Sequence, residues 1–90
     1  VEKDKSIGDF LMTLEGKGFK FTDDMIAFIY FGKKFTDATD EMVSAAVEIT
    51  LKVQKHFDSS FFLSILERLK EQKISERHEA IYYAKTQGLL

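Results

Sequence analysis

Five times in 90 residues, a short polar side chain able to cap a helix stands ahead of apolar residues at helical spacing, and no proline interrupts any of these runs. Proline would remove an N–H donor and clash with the preceding turn, so a chain without it is free to build uninterrupted helices. The caps are Ser6, Thr22, a threonine between 36 and 39, Asp58 and Ser75. Each offers an oxygen to first-turn amides that have no partner inside the helix. The pattern predicts an all-α fold, a compact bundle of about five short-to-medium helices in one domain over 1–90. Residues 1–5, polar throughout, are expected to fray.

The apolar positions assign faces. After Ser6, residues Ile7, Phe10, Leu11 and Leu14 make one stripe, and Gly16 and Gly18 end it. After Thr22, Asp23 and Asp24 suit the positive end of a helix dipole, Phe21 can pack on Ile26, and Met25 to Phe31 is apolar all round. Gly32 is expected to stop this second helix. A buried strand over 25–31 is the competing reading, because Phe28, Ile29, Tyr30 and Phe31 all favour strands. The third helix runs to about His56. Met42, Ala46, Ile49, Val53 and Phe57 line one side of it, widened by Val43, Val47 and Leu51; Glu41, Ser44, Glu48, Lys52 and Lys55 take the other. The fourth, about 59–72, buries Phe61, Phe62, Ile65, Leu66 and Leu69; the fifth runs from Ser75 to Gln87. The stretch from Gly18 to Asp23 is echoed fourteen residues later from Gly32 to Asp37, which predicts two similar helix-to-helix corners.

Composition narrows the function classes. With no cysteine, disulfides and thiolate-held metals are excluded, and a thin-cored 90-residue domain without disulfides points to the cytoplasm. The longest apolar run has seven residues against the ~20 needed to span a bilayer, and no secretory signal pattern is visible, so no membrane role is expected. Residues 1–45 carry six basic and nine acidic groups, residues 46–90 seven and six; neither half is a polyelectrolyte-binding surface on charge alone.

No pattern of reactive residues stands out. Asp37, Thr39, Glu41 and Glu48 fall at calcium-loop spacing, but the position that needs glycine is Met42, and an acidic first helical turn explains them. His56 and His78 lack metal-ligand neighbours at regular spacing, and His78 can touch Tyr82. Ser59-Ser60 sits in no nucleophile elbow, and Gly16-x-Gly18 is no phosphate loop. No catalytic residues, metal ligands or cofactor are assigned, and no enzyme is expected.

The apolar excess is the functional signal. Nine phenylalanines and a second helix apolar on every side are more than a 90-residue monomer readily buries. Two accounts compete: the second helix is the central one, wrapped by the rest, or the excess forms an interface. The interface account predicts a non-catalytic helical protein–protein interaction domain, self-associating as a homodimer or meeting a protein partner, with Phe28, Tyr30 and Phe31 in the contact. The alternative is a DNA-binding, helix-turn-helix-like regulatory module over 58–87, with Arg68, Lys70, Lys73, Arg77 and Lys85 meeting nucleic acid. Interleaved Glu67, Glu71, Glu76 and Glu79 argue against it.

Overall fold

The computed structural model describes residues 6–90; the stretch expected to fray, 1–5, lies outside them. Five helices follow one another: α1 (Ile7–Gly16), α2 (Asp23–Thr36), α3 (Asp40–Gln54), α4 (Ser59–Glu71) and α5 (Arg77–Thr86). Among the described residues there is no strand, so 25–31 is helix. The caps behave as their chemistry dictates. Ser6 Oγ accepts from the Asp9 N–H, Thr22 Oγ1 from Met25, Thr39 Oγ1 from Met42, and Asp58 Oδ1 from Phe61, at 2.9–3.2 Å.

Four helix ends share one stop. Each turns through a residue of positive φ, namely Gly18, Asp37, Lys73 or Gly88. The next N–H in each case reaches back five residues: Phe19 to Leu14, Ala38 to Lys33, Ile74 to Leu69 and Leu89 to Ala84. This closure satisfies the last carbonyls and folds an apolar residue back against the helix. α3 ends differently, with Lys55 at φ 70 donating to the Leu51 carbonyl.

α3 is the centre of the bundle, and α1, α2, α4 and α5 all pack on it. Every residue from Met42 to Val47, with Ile49 and Thr50, is buried. Ser44, expected on the outer side, is therefore enclosed, because neighbours cover α3 on more than its apolar arc. Thr50 resolves its own polarity by donating from Oγ1 to the Ala46 carbonyl at 2.7 Å. Ile49, Ile65 and Leu69 are buried as their spacing required; Val53, in the last turn, is only half-buried. The idea that α2 is the central helix is overturned.

Gly32 does not stop α2. It is buried in the helix interior, where a Cβ would stand 2.8 Å from Phe62 Cε2 of α4. The glycine lets the two helices approach, and α2 runs on to Thr36. The two echoed segments are consequently different structures. Gly18 is a left-handed stop and Thr22 a cap, whereas Gly32 is a packing site and Thr36 sits in a last turn, its Oγ1 donating to the Gly32 carbonyl. Phe21 meets Phe57 edge-on at 6.3 Å, but Phe35 is 61 % exposed.

α5 starts at Arg77, not in the turn after Ser75. Its N-cap position is Glu76, which makes no side-chain cap bond. The cap comes from α3, where Glu41 Oε2 accepts the Arg77 N–H at 2.8 Å. The Ile7 N–H of α1 likewise donates to Asp40 Oδ2 at 3.2 Å.

Candidate interaction surface

α2 carries the surface that its neighbours leave open. Successive residues are about 100° apart around a helix, so Phe28, Phe31 and Phe35, spaced three and four apart, fall on one side. Their rings form a ladder. Phe28 and Phe31 have centroids 5.6 Å apart; Phe31 and Phe35 are stacked at 5.4 Å with planes 18° apart. Phe28 anchors the ladder inward, edge-on to the buried Phe62 at 6.2 Å. Phe31 is 50 % exposed, and Asp24, Ala27 and Lys34 are exposed around it. Three rings held by packing make a surface with little rotamer entropy left to lose on binding.

The three residues named from sequence do not make one patch. Phe28 and Phe31 are together; Tyr30, 44 % exposed, is on the α1 side, where its hydroxyl overlies Gly8 (a Cβ there would stand 3.3 Å from it). Phe35 takes the place expected of Tyr30. Its signal was the 28–31–35 spacing, which is visible only if the helix continues through Gly32.

The five basic residues of the nucleic-acid alternative are dispersed in their duties. Arg77 is held by Glu48 through two bonds, Nε to Oε1 at 2.8 Å and Nη2 to Oε2 at 2.7 Å, and Lys52 shares that carboxylate at 3.3 Å. Lys70 Nζ donates to the Asp37 carbonyl at 2.8 Å, capping the end of α2. Lys73 is the positive-φ residue of a helix stop. Arg68 and Lys85 are exposed, with no ion pair among the described residues. α4 and α5 pack chiefly on α3 rather than on each other, unlike the mutually crossed pair of a helix-turn-helix.

The remaining candidates resolve locally. Of the calcium-spaced set, Asp37 turns the chain, Thr39 caps α3, and Glu41 and Glu48 hold α5, so there is no twelve-residue loop. His56 is exposed beyond α3. His78 and Tyr82 share a shallow hollow on α5. Sequence spacing missed that Glu76, His78 and Glu79 bring ligand atoms within 4.8 Å of one another; all three are exposed. Ser59 and Ser60 form the first turn of α4. A cleft of about 320 Å³ between α1, α3 and the start of α5 has Phe10, Leu14 and Leu51 on its floor and Lys17, Lys52 and Arg77 at its rim. No helix among the described residues is long and apolar enough to cross a membrane.

Fold and surface together define a small all-α bundle with one aromatic helix face turned outward. The chain belongs to the family of unknown function DUF6123, which it matches over residues 2–90. No curated protein and no solved structure matches it.

Proposed function

We propose that this chain is a non-catalytic protein–protein interaction domain that self-associates through the outer face of α2. One observation carries the reading: the stacked Phe31 and Phe35 rings stay half or more exposed in a bundle whose centre is fully enclosed. Isolated exposed apolar residues are ordinary, but a ladder of three aromatic rings on one helix is a contiguous patch of the kind interfaces are built on. The patch is smaller than the ~800 Å² per partner of a standard interface, so the complex is a weak one unless the flanking polar residues join it.

Sedimentation equilibrium up to about 100 µM, the range in which weak complexes populate, is expected to give a mass approaching twice 10.4 kDa. Phe31→Glu is expected to return the monomer, because it places a charge in a desolvated patch. Tyr30→Glu is expected to change little, because Tyr30 is on the α1 side of the helix. A monomeric wild type at every concentration would refute self-association.

A further inference from the structure

The outer face of α2 has a polarity as well as an aromatic centre. Asp24, Phe28, Phe31 and Phe35 are spaced four, three and four apart, which is the alternation of a two-stranded helical seam. The seam is acidic at its start, where Asp24 is exposed beside Asp23, and basic near its end, where Lys34 flanks Phe35. Among the described residues neither Asp24 nor Lys34 has an ion-pair partner, whereas the adjacent Lys33 is held by Asp40 at 3.3 Å. Two copies laid parallel would set acid beside acid and lysine beside lysine. Two copies laid antiparallel set each acidic end against a basic end.

We infer that the partner of this face is a second copy of the same chain, with the two α2 helices antiparallel about a two-fold axis between Phe28 and Phe31. The inference rests on the self-association proposed above and adds its geometry. In this register Phe28 of each copy faces Phe31 of the other, and Asp24 faces Phe35, with the long side chain of Lys34 reaching across the seam to that Asp24. The two-fold axis makes every contact twice, so one Asp24–Lys34 pairing becomes two. Antiparallel alignment also opposes the two helix dipoles, adding to the attraction of the end charges. α2, 14 residues and about 21 Å long, gives two heptads of seam, enough to fix register but not to bind tightly.

Charge reversal tests this directly, because both altered side chains are exposed and neither makes an ion pair among the described residues. Asp24→Lys and Lys34→Glu, each alone, convert two attractions into two repulsions and are expected to weaken the dimer roughly tenfold. The double variant restores complementarity with the charges exchanged and is expected to recover wild-type dimerisation. Raising the salt concentration should shrink all these differences. Circular dichroism verifies that each variant keeps its helices. If Phe31→Glu dissociates the dimer but the double variant is no tighter than the singles, the antiparallel register is wrong while self-association stands. If Phe31→Glu leaves the mass unchanged, or the wild type is monomeric, both readings fall together.

Discussion

Replacing Gly32 with alanine separates two opposing effects at one atom. In an ordinary helix interior the change gains about 1 kcal/mol, because glycine loses more backbone entropy and alanine is the best helix former. At Gly32 the new methyl would stand 2.8 Å from Phe62 Cε2, 3.4 Å from its Cζ and 3.5 Å from Leu66 Cδ2. Carbon atoms prefer roughly 3.5–4.0 Å, so the ring must retreat by about 0.7 Å or α2 must lift from α4. The ring has little room: Phe62 is fully buried between Phe28 and Phe57, whose centroids lie 6.2 and 5.3 Å from it. Overpacking of this kind costs about 1–3 kcal/mol, which outweighs the propensity gain and leaves a net loss of about 1 kcal/mol. For a domain this size, Tm then falls by ~4–8 °C. Gly16→Ala is the control: it is the last residue of α1, with nothing within 4 Å of its added Cβ, and should gain up to ~0.5 kcal/mol. Urea denaturation followed by circular dichroism reads both. In a Phe62→Leu background, where the ring edge is gone, Gly32→Ala should no longer destabilise. A Gly32→Ala protein as stable as Gly16→Ala would refute the close-approach argument.

Two further outcomes follow from the core and the caps. Leu69→Ala or Ile49→Ala, each fully buried, should cost about 2–5 kcal/mol by urea denaturation; a loss below ~1 kcal/mol would contradict their burial. Glu41→Ala should loosen α5 by about 1 kcal/mol, seen as faster amide exchange over 77–84, whereas Ser75→Ala should leave that exchange unchanged.

What the sequence disclosed was local. Ser6, Thr22, Thr39 and Asp58 cap helices through bonds spanning three residues, so the chemistry of one turn suffices to read them. What it withheld depends on contacts between distant residues. The cap of α5 comes from Glu41, 36 positions earlier, and the second capping bond of α1, on the Ile7 N–H, comes from Asp40, 33 positions later; neither has a local signature. Gly32 looked like a helix stop because glycine usually is one, and its real function is set by a ring on α4. That one misreading cut α2 short and removed Phe35 from the surface strip. The central place of α3 was likewise hidden, since Ser44, Glu48 and Lys52 make it look amphipathic although every residue from Met42 to Val47 is buried.

The hub position of α3 has a consequence for how the protein is made. α1 is complete when residue 16 has been added, yet the helix it packs on does not end until residue 54. At roughly 5–20 residues per second, a growing chain holds Ile7 and Leu11 without a partner for about 2–8 s. Phe28, Phe31 and Phe35 join them partway through that interval, and Phe28 waits longer still, because its ring partner Phe62 is added only with α4. The face proposed to pair two finished copies is thus also an early apolar surface of the growing chain, and the acidic residues at its leading edge, Asp23 and Asp24, are synthesised just before it.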